Sequence, residues 1–136
     1  MEYIKAIIGG LEMFIPVNDK LGKMILVADK KIKHQKRIAK ARNVYKGTID
    51  YGHIIMGSEF FYAFEDILEC NGYCGLFHNH FNTFFKEQRK ILYDLFRDDI
   101  TVHYLVAING YEEELIQNTI REFFLTLKNY FKGVVI

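Results

Sequence analysis

Alternation of apolar and polar positions marks the first seventeen residues as a β-hairpin. Tyr3–Ile8 and Leu11–Val17 are extended apolar runs joined by Gly9-Gly10. Two consecutive glycines suit a type I′ turn, whose central positions both need positive φ. In the second run Leu11, Met13, Ile15 and Val17 alternate with Glu12, Phe14 and Pro16, which gives one buried face. Asn18–Lys23 carries turn residues, and Met24–Ala28 is a short apolar run that reads as a third strand. Asp29 then stands where a cap would open a helix to about Tyr45. Its apolar stripe is thin, only Ile32, Ile38, Ala39 and Ala41, so this helix is expected to be exposed.

Lys46–Tyr51 is ambiguous between strand and loop, and Gly52–Gly57 reads as a connector. Ser58 is placed to cap a helix running to Cys70, with Phe60, Phe61, Phe64, Ile67 and Leu68 at core spacing and Asn71-Gly72 as a left-handed stop. Tyr73–His80 reads as a buried strand. Asn82 or Thr83 then caps a helix through Phe84, Phe85, Ile91, Leu92, Leu95 and Phe96. Ile100–Ile108 reads as a strand bounded by Asp98-Asp99 and Asn109-Gly110. Glu112–Phe131 is a long final helix with its glutamates at the positive end of the helix dipole and Ile116, Ile120, Phe123, Phe124 and Leu127 facing the core. Strands alternating with helices favour parallel crossovers. The expected class is therefore α/β, with α+β as the alternative. The architecture is a mixed sheet with an N-terminal antiparallel hairpin, helices packed on it and a long C-terminal helix, in a single domain over residues 1–136.

Composition sharpens this picture. A hydrophobic content of 50% excludes disorder, and 12 Phe and nine Tyr against one Pro indicate an aromatic interior between long regular elements. Cys70 and Cys74 are too few for a disulfide scaffold and read as buried small hydrophobes. Glu2 and Lys5 interrupt any apolar leader core, and no uncharged run reaches the roughly 18 residues of a membrane helix, so a cytoplasmic protein is expected. The net charge of +1 hides a segregation: residues 30–46 hold eight of the 18 basic residues and no acid, whereas residues 47–136 carry a net −6.

Two segments suggest chemistry. On a strand, His78 and His80 share a face and can chelate one divalent metal such as zinc, with His103 on the neighbouring strand candidate as third ligand; His53, Glu59 and Asp94 are further candidates in kind. Cys74 lies roughly 13 Å from His80 along a straight strand, too far to join them. Leu76–His80 and Val102–Ile108 resemble in pattern the JAB-type metalloprotease domains, in which a strand ends in His-x-His after a core helix. The resemblance implies a relative of these metal-dependent hydrolases that lacks the third ligand and is at best inactive. The chain departs from that pattern at Phe81, where the family has proline, and at Gln88 and Ile91, where it has serine and aspartate. Without metal, the pair would be histidines hydrogen-bonded to backbone or carboxylates.

The second segment is basic. On a helix, Lys33, Lys36, Arg37 and Lys40 fall along one side and could follow the phosphates of nucleic acid or another polyanion, or meet an acidic protein surface. Phe77, Phe81, Phe84 and Phe85 would line the core, an apolar pocket or a self-association surface. No glycine-rich phosphate loop, nucleophile elbow or catalytic carboxylate pair is present. The leading expectation is an interaction protein acting through self-association and a protein partner. Polyanion binding and metal-dependent hydrolysis are the alternatives.

Overall fold

A computed structural model describes residues 3–43 and 54–132. The hairpin forms as its alternation dictates: β1 (Tyr3–Ile8) and β2 (Leu11–Pro16) pair antiparallel from Ile8↔Leu11 to Tyr3↔Pro16. Gly9 and Gly10 take φ of +57° and +82°. Gly9 meets a second constraint, because a Cβ there would lie 2.7 Å from Leu95 Cδ2 and 3.0 Å from the Val102 nitrogen. Val102 N–H donates to the Gly9 carbonyl at 2.9 Å, so the turn also anchors a later helix. β3 (Ile54–Ile55) lies parallel to β1, Ala6↔Ile54 and Ile7↔Ile55, which makes the sheet mixed with order β2-β1-β3. The ambiguous segment Lys46–Tyr51 lies outside the described residues.

Met24–Ala28 is helical, not a third strand. It belongs to α1 (Asp19–Asn43), in which Leu21, Met24, Ile25 and Ala28 are buried. Their spacing of three, one and three is that of one helix face. The cap is Asn18, whose side-chain oxygen accepts from Leu21 N–H at 2.8 Å. Asp29, expected to start a helix, sits buried inside this one and pairs with Lys33 at 2.8 Å.

Two further runs are helices instead of strands. A left-handed Gly75, φ +76°, leads from the end of α2 (Ser58–Cys70) into α3 (Leu76–Phe81), which replaces the strand expected over Tyr73–His80. Thr101 caps α5 (Val102–Ala107) by accepting from Tyr104 N–H at 3.1 Å, which replaces the strand expected over Ile100–Ile108. The buried positions explain both changes: His80, Phe81 and Phe84 in one segment, and Val102 and Leu105 in the other, recur at three or four residues rather than two. α4 (Lys86–Phe96) begins later than expected, with Gln88 Oε1 reaching back to Phe85 N–H at 3.2 Å in place of an Asn82 or Thr83 cap. Phe85 is 82% exposed rather than in the core stripe. α6 (Glu113–Lys132) is the long final helix. The result is an α+β fold in which a small sheet carries a helical layer. No helix among the described residues is long and apolar enough to cross a membrane.

α2 owes its start to a distant residue. Asp99, itself left-handed at φ +54°, accepts from Ser58 N–H at 2.8 Å and from Ser58 Oγ at 2.6 Å. This carboxylate thus occupies the positive end of α2, a role the sequence had suggested for Ser58 alone. The fit is close, since a Cβ on Gly57 would lie 2.7 Å from Asp99 Oδ1. At the other end Gly72, φ +87°, stops the helix and Tyr73 N–H returns to the Leu68 carbonyl at 2.9 Å.

The core is aromatic, as the composition requires. Phe123 of α6 is fully buried and lies within 6 Å, centroid to centroid, of Phe77, Phe81, Phe84, Phe96 and Phe124. Cys70 and Cys74 are both exposed rather than buried, because one ends α2 and the other lies in the turn beyond it.

Phe123→Ala is expected to lower unfolding free energy by about 3–5 kcal/mol in denaturant titration, because it opens a cavity where several rings meet. Phe85→Ala is expected to change it by less than about 0.5 kcal/mol. Asp99→Ala removes two hydrogen bonds and a charge from the start of α2, and a loss of about 1–2 kcal/mol is expected in the same measurement.

Candidate functional site

Helical rather than extended backbone separates the two histidines on which a metal site would depend. Residues two apart on an α-helix point about 200° apart, so His78 and His80 cannot share a face as they would on a strand. His78 is exposed beside an aromatic cleft. His80 is buried against α6, where its Nε2 lies 3.1 Å from the Phe123 carbonyl and 3.0 Å from Thr126 Oγ1. Thr126 Oγ1 is itself a donor to the Glu122 carbonyl at 2.9 Å, so with the proton on Nε2 the ring donates to Phe123. His103 is exposed on α5. Among the described residues no three His, Cys, Asp or Glu side chains come together to hold a metal. Burial pushes the His80 pKa below its ordinary value, and the hydrogen bond to Phe123 offsets this only in part. A neutral imidazole joining α3 to α6 is the role this geometry supports.

The basic residues Lys33, Lys36, Arg37 and Lys40 all lie on α1. Lys33 is half-buried and engaged with Asp29, so part of its charge is already met within the helix. The side chains of the other three lie outside the described set.

One face of the sheet is left uncovered. Its inner positions Ile4, Ala6, Ile8, Met13 and Ile15 are buried under the helices. The opposite face carries Tyr3, Phe14 and Ile55, which are 61%, 62% and 55% exposed. A pair of charges, Lys5 and Glu12, forms a salt bridge among them. Phe14 was legible only as a position alternating with the core residues of β2; its exposure follows from the helices covering one face alone.

β2 is also an outer strand. In a two-residue hairpin the residues flanking the turn, here Ile8 and Leu11, form a hydrogen-bonded pair, and such pairs alternate along the ladder. Glu12 and Phe14 therefore turn their N–H and C=O groups away from β1, while Pro16 has no N–H to offer. Alongside this edge runs a groove of about 650 Å³, walled by Glu12, Phe14 and Pro16 on one side and by Gln117, Arg121 and Leu125 of α6 on the other. Arg121 Nη2 donates to Gln117 Oε1 at 3.2 Å, and Glu122 accepts from Gln88 Nε2 at 3.1 Å. The charged groups lining the groove are Glu12, Arg121 and Glu122.

Comparison with known proteins finds no matching family, no matching curated protein and no matching solved structure.

The buried imidazole gives a pH signature. Because the folded His80 binds a proton less readily than the unfolded chain, its contribution is fully present above the ordinary pKa of about 6.5 and is lost as pH falls from there through the lowered folded value. Urea titrations at pH 7 and pH 5 are expected to show a larger fall in stability for the wild type than for His80→Gln. The carboxylates titrate alike in both proteins and cancel in the difference.

Proposed function

We propose that the protein is an interaction module that assembles with a second copy of itself through β2. The observation that carries this reading is the outward-turned backbone of Glu12 and Phe14 beside a 62% exposed Phe14. An outer strand with free polar groups and an exposed aromatic is a template for strand addition.

A second copy fits this edge by simple register arithmetic. With a two-fold axis through Met13, Glu12 of one copy stands opposite Phe14 of the other, so both N–H and both C=O groups of each outward-turned pair are used. Pro16 then falls opposite Gly10 at the end of the ladder, where its missing N–H forfeits one terminal bond at each end and leaves those of Glu12 and Phe14 intact. Lys5 pairs with Glu12 within each copy, so the two Glu12 side chains, diagonal neighbours in this register, meet with their charge already offset. A foreign extended peptide could satisfy the same backbone groups, but nothing on this neutral rim selects for its charge.

Six residues of strand span roughly 20 Å, which places the contact at the small end of specific interfaces. Micromolar dissociation is therefore expected. Sedimentation equilibrium between about 1 and 200 µM should show a monomer–dimer equilibrium. Phe14→Glu should be monomeric throughout that range with an unchanged circular dichroism spectrum, since it sets a second carboxylate directly opposite Glu12 of the other copy without entering the core. A wild-type monomer at the highest concentration would exclude the second copy as occupant. A dimer untouched by Phe14→Glu would place the interface elsewhere.

A further inference from the structure

A second cavity, away from β2, opens between α2, α3 and α4. Its volume is about 170 Å³, and its walls are Phe61, Phe77, Phe81, Tyr93 and Phe96. That is close to the roughly 150 Å³ in which an apolar cavity holds one benzene ring. The rings are fixed by one another: Phe61 stacks on Phe96 at 4.0 Å and Phe81 on Tyr93 at 4.8 Å. The site is thus preorganised and would give up little side-chain entropy on binding.

The charges at its mouth decide what kind of ligand suits it. Arg97 is the obvious cation, but Asp98 takes its Nε and Nη2, each at 3.2 Å. An incoming anion would have to compete with that bidentate pair. α2, which forms one wall, carries Glu59, Glu65, Asp66 and Glu69 and no basic residue. Glu65 reaches the cavity and has no ion-pair partner among the described residues. The aromatic wall already accepts a cation, because the Arg97 guanidinium lies over the Tyr93 ring at 4.8 Å.

We infer that this cleft binds an organic cation, an ammonium or quaternary ammonium carried on an apolar body the size of one ring. The body occupies the phenylalanine-lined floor, where burial supplies most of the affinity. The charged head lies at the rim, against aromatic faces and the Glu65 carboxylate. Arg97 serves as the chain's own partial occupant, and its exposed side chain can swing out with Asp98 when the ligand enters.

The matched pair 2-phenylethylammonium and 3-phenylpropionate tests this directly, with tetramethylammonium as a head group without a body. In protein-observed NMR titrations the ammonium should move the ring resonances of Phe61, Phe77 and Tyr93 saturably and bind about tenfold or more tighter than the carboxylate. Tetramethylammonium should bind more weakly at the same resonances. Glu65→Gln, a change at the rim that leaves the ring stacking alone, should weaken the ammonium about five- to tenfold and leave the carboxylate unchanged. The inference is overturned if neither ring compound shifts these residues saturably, if the carboxylate binds as well as the ammonium, or if Glu65→Gln leaves the preference intact. Its outcome is independent of whether the protein dimerises through β2.

Discussion

The packing around Phe123 is the constraint on which the rest of the molecule depends. One ring of α6 touches rings from α3 and α4 and the loop between them, and the carbonyl of the same residue meets the His80 imidazole. Phe61 of α2 closes the cluster from the other side. Short helices such as α3 and α5 have little stability alone, because nucleating a helix costs more than one turn of hydrogen bonds returns. They persist here because each lays its buried residues on a preformed apolar surface. The cavity beside Phe77 and Tyr93 is what remains where that interdigitation of large rings stops short of the surface.

A sheet of three short strands has a different economy. α6 packs on β2 and the other helices pack largely on one another, while the sheet offers a single buried face from Ile4 to Ile15. The other face is left to solvent with Tyr3, Phe14 and Ile55 on it. Such an edge would invite uncontrolled aggregation, and the features that restrain it are visible: Pro16 at the strand end and a Lys5–Glu12 salt bridge across the pair.

Backbone conformation also governs the chemistry. The same His-Asn-His tripeptide presents two ligands to one metal when extended, and sends its imidazoles to opposite sides when helical. In this fold one histidine becomes a structural hydrogen-bonding group and the other a surface residue beside the cleft. The likeness to a metalloprotease pattern over Leu76–His80 and Val102–Ile108 depended on strands that are helices. A histidine pair two apart is informative only once its secondary structure is known.

The sequence by itself determined what local rules control: the Gly9-Gly10 hairpin, the span of α2, its Gly72 stop, the long amphipathic α6, and a core dominated by phenylalanine. Each rests on a period, a turn or a cap that neighbouring residues decide. The runs Met24–Ala28, Tyr73–His80 and Ile100–Ile108 were short and apolar, and a short apolar run suits a buried strand or a buried helix equally. Spacing of Leu21, Met24, Ile25 and Ala28, and of Phe77, Phe81 and Phe84, carried the correct period, but only when read across the element boundaries. Only the tertiary structure decided that Asp99 would cap α2 from 41 residues away, that one sheet face would stay open, and that aromatic residues from α2, α3 and α4 would line a cleft. Those outcomes depend on contacts between segments distant in the chain, whose free energy comes from burying surfaces together and is absent from any segment taken alone.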